Sequence, residues 1–234
     1  MTATGNTPPF DFSAYCGEIA GLAAQGLAVA TGEEGIRSLM GRVTGRAEEV
    51  LASRMSRNDR GLIACGPGCS ACCTINVTVL LPEAIAIARY VTDPGNGNGR
   101  SDLKPLIAEA ASRVRWMDDD ERIRSGIPCP FLDERGWCII HPVRPLTCRA
   151  LSSTDQEQCR RALASHGSCE EEMIVVNIFQ KFLMEETFRA LSMALERAGL
   201  DISSRELCRS VTRCIQDPCL ANDFLAGNRI KFPD

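Results

Sequence analysis

"CGPGCSACC", residues 65–73, places four cysteines in nine positions, and what such a crowd is for decides how the rest of the chain is read. Thiols at this density are cross-linked, metallated or buried. The chain has 13 cysteines among 234 residues and a hydrophobic content of 44%. A core of useful size can form from that composition, whereas disulfide scaffolds are typically short secreted chains that lack one. The opening "MTATGNTPPFDFSAYC" shows no basic segment followed by an apolar run, and no stretch approaches the ~20 apolar residues of a membrane span. The expectation is a cytoplasmic protein with reduced thiols and no membrane partner. There, many cysteines point to metal first, redox chemistry second and disulfides last. A net charge of -4, with two Trp and two Tyr, disfavours nucleic acid, which asks for basic patches and stacking platforms.

Working outward from the cluster, residues 16–56 repeat apolar side chains at helical spacing (Ile19, Leu22, Ala23, Leu27, then Ile36, Leu39, Met40, Val43), broken at "TGEEG"; two helices are expected. "INVTVLL", 75–81, alternates and is β-branched, predicting a short strand ahead of a helix opened by Pro82. "DPGNGNGRSD" reads as a loop ending in an N-cap at Ser101 or Asp102, with a helix over 102–124. "DERG", between "CPFL" and "WCII", has turn chemistry, so a small hairpin should carry Cys129 before it and Cys138 in its second arm, with Asp133 and Glu134 as turn residues. Pro142 and Pro145 restrict the backbone ahead of Cys148. A long amphipathic helix is expected over 171–198, acidic in its first turn, with an apolar stripe of Ile174, Ile178, Leu183, Phe188, Leu191 and Leu195, and one more helix over 204–216. The fold class is therefore mainly α, a helical domain with a knot of loops and a hairpin bearing a multi-cysteine site. Its parts are an N-terminal helical segment (1–60), a cysteine-cluster core (61–170) and C-terminal helices packing on that core (171–234), expected as one compact unit.

Cys65, Cys69, Cys72 and Cys73 form C-x3-C-x2-C-C, and Cys129, Cys138, Cys148 and Cys159 follow after a helical insertion. Two thiol-bearing loops separated by structure suit a wrapped metal. Eight cysteines exceed one tetrahedral site. Adjacent Cys72 and Cys73 diverge, so they serve different metals or one faces the core. Gly66 and Gly68 around Pro67 would let backbone N–H groups turn towards thiolates. Arg144 and Arg149 would offset the charge of a thiolate-rich centre or bind an acidic substrate; the plainer reading is an ion pair or a cap on carbonyls.

"CGPGCSACCTINVTVLLPEAIAIARYV" followed by "CPFLDERGWCIIHPVRPLTCR" resembles the YkgJ-type cysteine-cluster proteins, with their zinc- or iron-chelating CxxCxxCC domain, over roughly 65–160. The resemblance implies metal-binding cysteines at Cys65, Cys69, Cys72, Cys73, Cys129, Cys138, Cys148 and Cys159. Two departures stand out. The first spacing is x3 where the family name implies x2, and Ile140-His141-Pro142 replaces the family's Ile-Tyr-Glu, which brings His141 forward as a ligand or proton carrier beside its ordinary role as a loop hydrogen-bonder. The related flagellin lysine methylases carry an iron–sulfur cluster with the same kind of block, which favours iron over zinc; lysine methylation does not follow.

The expected cofactor is thus an iron–sulfur cluster, [4Fe–4S] first, or zinc. Spacing does not separate these. The enzyme reading is an oxidoreductase or modifying enzyme with a pocket near Arg144, Arg149 and His141, its protein or small-molecule partner unnamed. The alternative is a non-enzymatic module stapled by zinc. C-x3-C-x2-C is also the radical S-adenosylmethionine spacing, but a helical stretch precedes it, Ala71 replaces the usual aromatic, and 161 residues follow Cys73, so this ranks third. Cys16 reads as core. Cys208, Cys214 and Cys219 read first as bundle cysteines and second as a further site with His166 or Cys169.

Overall fold

The carboxylate of Asp11 accepts a hydrogen bond from Ala14 N at 3.0 Å and starts α1, Phe12–Val29. Tyr15, Ile19 and Ala23 are its inward face. Gly26 completes that face by its smallness: a Cβ there would clash with Leu39 Cδ1, so α1 and α2, Gly32–Arg54, approach closely at this point. The two expected helices form, but the break is only Ala30-Thr31, and "GEEG" opens α2 with Glu33 and Glu34 in its first turn, where the helix dipole favours them. The computed structural model describes residues 9–96, 103–168 and 172–232. Ser101, Asp102 and most of the Gly/Asn loop lie outside them.

α3, Arg57–Leu62, carries a Ser56/Asp59 capping box, and the chain then runs irregularly through the first cysteine block, with a single 3₁₀ turn over Ala71–Thr74. The expected strand shrinks to β1, Thr78–Val79. α4, Leu81–Thr92, opens with Pro82 and is buried from Leu81 to Ala88, as befits a central helix. Glu83, buried with it, accepts from Leu80 N at 2.9 Å and from Leu146 N at 2.8 Å. It thereby joins α4 to α7, Leu146–Ala150, which carries Cys148.

Two helix expectations are corrected. The single helix expected over 102–124 is replaced, among the described residues, by two, α5, Leu103–Val114, and α6, Asp119–Ser125. Asp118 accepts from Glu121 N at 2.8 Å while Glu121 accepts from Asp118 N at 3.0 Å; this capping box starts a new helix where apolar spacing suggested continuity. After α8, Gln156–Ala164, the long helix α9 covers Ile178–Arg197 and not 171–198; Asn177 caps it, accepting from Gln180 N at 2.8 Å. Residues 172–177 form no regular element; β-branched Ile174, Val175 and Val176 have low helix propensity. Ile174 and Ile178 are exposed, while Leu183, Leu191 and Leu195 are fully buried. Glu170 and Glu171 lie outside the described residues.

β2, Arg205–Glu206, pairs antiparallel with β1, Thr78 opposite Glu206 and Val79 opposite Arg205. α10, Leu207–Gln216, and α11, Leu220–Leu225, follow. α1 packs on α2 and α9, α2 on α4 and α9, and α10 on α4 and α5. One hydrophobic cluster, running from Tyr15 to Ile230, draws on all of them. The protein is mainly helical, and its irregular part is the cysteine-bearing face.

Candidate metal centre

Three loops build this face. In the first, Cys69 N donates to Gly66 O at 3.0 Å and Cys73 N to Ser70 O at 3.0 Å; Gly68, at φ +88°, supplies the left-handed step the turn needs. The second is the expected hairpin, reduced to one bridge between Leu132 and Cys138. The Asp133 carboxylate accepts from Arg135 N at 2.9 Å and Trp137 N at 2.8 Å and so closes the turn. Cys129 N donates to Cys73 O at 2.8 Å, tying the second loop to the first. In the third, a 3₁₀ turn over His141–Val143 and Pro145 ahead of α7 set Cys148.

Together they enclose a cavity of about 350 Å³. Seven of the eight nominated cysteines line it: Cys65, Cys69, Cys72, Cys73, Cys129, Cys138 and Cys148. Cys159, on α8, stands off the wall but near enough to Cys65 for their charges to interact. Ile75, Val77, Ile140 and Leu207 supply apolar wall, and His141 and Arg144 also face the space. The cysteines among the described residues are free thiols.

Backbone N–H groups do reach these sulfurs, though not from the Gly-Pro-Gly turn. Ser153 N donates to Cys65 Sγ at 3.2 Å, and the N–H groups of Phe131 and Ile140 stabilise the Cys129 and Cys138 thiolates. Burial opposes ionisation nevertheless. It raises Cys65 and Cys138, pushes Cys129 up to about 12 and raises Cys148 further. The adjacent pair splits: a hydrogen bond with Cys73 lowers Cys72 below the usual thiol range, while the same bond and burial hold Cys73 as a thiol. His141 is kept neutral, first by partial burial and then by the Arg144 and Arg149 charges.

The two arginines have different surroundings. Arg149, 2% exposed, donates from Nε to Arg144 O and from Nη2 to Pro142 O, both at 2.9 Å, and pairs with Glu48. It caps loop carbonyls and is not part of the cavity wall. Arg144 is: its Nε is buried and has no hydrogen-bond partner, and its charge favours ionisation of Cys72, Cys138 and Cys148.

A guanidinium lining the same cavity as these seven soft sulfurs, and acting on three of them, fits a thiolate-bound metal, whose negative charge it would offset. Among the described residues, no three His, Cys, Asp or Glu side chains converge on one point closely enough to hold an ion; the sulfurs surround a space.

Four contributors were not anticipated: Cys208 and Arg122, both buried and lining the cavity, with Glu206 beside them, and Ser153 as an N–H donor. The further site imagined for Cys208, Cys214, Cys219 and His166 is not assembled. His166 Nε2 bonds Asp120 Oδ1 at 2.8 Å, Cys219 is exposed, and Cys169 lies outside the described residues. Cys16 is half-buried on α1, where its thiol donates to Glu186 at 3.0 Å.

No curated protein and no solved structure matches the chain. Residues 64–170, the stretch from the first cysteine block through Cys159, match the family model described as "CxxCxxCC: Putative zinc- or iron-chelating domain".

Proposed function

We propose that this chain holds an iron–sulfur centre in the cavity, ligated from the set Cys65, Cys69, Cys72, Cys73, Cys129, Cys138, Cys148 and Cys159, and serves a redox or modification reaction in the cytoplasm. The observation that carries this is the convergence of two cysteine blocks, distant in sequence, on one cavity that Arg144 also lines. More thiols gather there than one tetrahedral ion can use, which favours a polynuclear centre.

Such a centre would supply one-electron exchange when bound. The chain's own residues do the rest. Phe131, Ile140 and Ser153 donate N–H groups to sulfur, Arg144 offsets thiolate charge, and Arg149 fixes the loop that presents both Arg144 and Cys148. His141, at the exposed edge of the cavity, is neutral and able to accept a proton there.

A structural zinc site is the second reading, favoured by the scarcity of regular structure in the loops that carry the cysteines. Metal would then contribute folding free energy to segments with little of their own. Iron, zinc and acid-labile sulfide per chain, measured on anaerobically purified protein with its visible spectrum, test the two together. Iron with sulfide and a dithionite-sensitive brown absorption supports the first reading; zinc in a colourless protein replaces it with the second.

A further inference from the structure

We infer that Cys208, near the start of α10, supplies a thiolate to this centre, so that a residue outside the 64–170 stretch completes it. The inference rests on the proposed metal function and adds a ligand that the cysteine spacing does not reveal.

Cys208 is 4% exposed and lines the same cavity as the two cysteine blocks. It lies near Cys129, and Arg122 is buried in the same wall. Three contacts hold it there. β2 pairs with β1, Leu207 N donates to Val77 O at 2.9 Å, and the Glu206 carboxylate accepts from Cys208 N at 2.9 Å and Arg209 N at 2.6 Å. Val77 is itself cavity wall. Cys208 is thus attached to the strand that directly follows the first cysteine block.

The plain alternative is a buried cysteine used as a small hydrophobe. Cys214 is that case on the same helix: it too is 4% exposed, but it is not part of the cavity wall. What sets Cys208 apart is its company. A thiol among thiols, in a wall that also holds Arg122 and Glu206, gains most from a cation in the space they share, because the cation removes the repulsion among the thiolates.

Cobalt(II) is the probe, since its thiolate charge-transfer absorption grows with the number of coordinating sulfurs. The full chain, stripped and reloaded with cobalt, is compared with C208S and C214S. C208S should lose a bound cobalt or about a quarter of the charge-transfer intensity of the ion it ligates, one thiolate in four; C214S should match the parent. Wild-type cobalt content and intensity in C208S would overturn the inference while leaving the proposed function standing, whereas a parent chain that takes up neither cobalt nor iron removes both. A second measurement needs no variant. Because the two cysteines are equally buried, rising urea should open both to iodoacetamide together in stripped protein. In loaded protein both gain what the metal adds to global stability, and Cys208 should gain protection beyond that of Cys214, persisting below the urea range in which the chain unfolds; equal protection of the two overturns the inference.

Discussion

The backbone N–H of Cys129 donates to the carbonyl of Cys73 across 2.8 Å. This bond joins the end of the first cysteine block to the start of the second, with α4, α5 and α6 spanning the interval. Loop closure over that length costs entropy, and the helices offset it by burying apolar surface between the blocks.

The second block is tested by C138S and C148S, made separately. Each removes one cavity-lining thiol, and each should lose most of the metal bound by the parent protein. Metal content by plasma mass spectrometry, with far-ultraviolet circular dichroism as the fold control, decides the matter. Parental content in both variants would remove Cys138 and Cys148 from the ligand set.

Metal affinity should rise steeply with pH. Burial raises Cys65, Cys129, Cys138 and Cys148, so near neutrality these are thiols in the metal-free protein, and each that becomes a ligand must release a proton. Affinity should therefore climb by about tenfold per pH unit for every proton released. Competition with a chromophoric chelator between pH 6 and pH 8 should give a slope above one proton per metal. A slope near zero would mean that these sulfurs do not ligate.

Arg144 and Arg149 should separate on substitution. R149M strips donors from two loop carbonyls and from Glu48, a loss of about 2–3 kcal/mol in urea unfolding. R144M removes a charge whose Nε has no partner, so it should leave unfolding within about 0.5 kcal/mol of the parent. Its effect should fall on the centre, as a lower reduction potential or weaker metal retention. Equal destabilisation by both would show that Arg144 is structural.

Much of this face is legible in the sequence because its signals are local. "DERG" as a turn and Pro82 as a helix opener act within a few residues, and the structure places both accordingly; seven of the eight cysteines nominated from their spacing line one cavity. The break at 115–118 was local too, in the Asp118/Glu121 box, but apolar spacing on either side outweighed it. Ile174, expected on the helical stripe, is exposed in the irregular 172–177 segment, and Ile178 is exposed at the first residue of α9. Cys208 is different in kind. Its place beside Cys129 depends on a two-residue strand pairing across more than half the chain, and no periodicity encodes that.

Glu83 provides the clearest pH test of the fold itself. It is buried, accepts from Leu80 N and Leu146 N, and is raised to about 7, by burial above all. A carboxyl raised in the folded state binds its proton more tightly there than in the unfolded chain. Its contribution is accordingly full below the unfolded value of 4.5 and is lost as pH rises towards 7. The parent should lose stability over that window by a few kcal/mol, while E83Q, with no proton to lose, should show a flatter profile. E83A leaves both N–H groups without an acceptor and should cost about 1–3 kcal/mol per group at all pH values. Urea unfolding at pH 5 and pH 7, at matched metal loading, distinguishes the three proteins. Parallel profiles for the parent and E83Q would show that Glu83 keeps its charge in the core, with Arg149 as the nearby cation that sustains it.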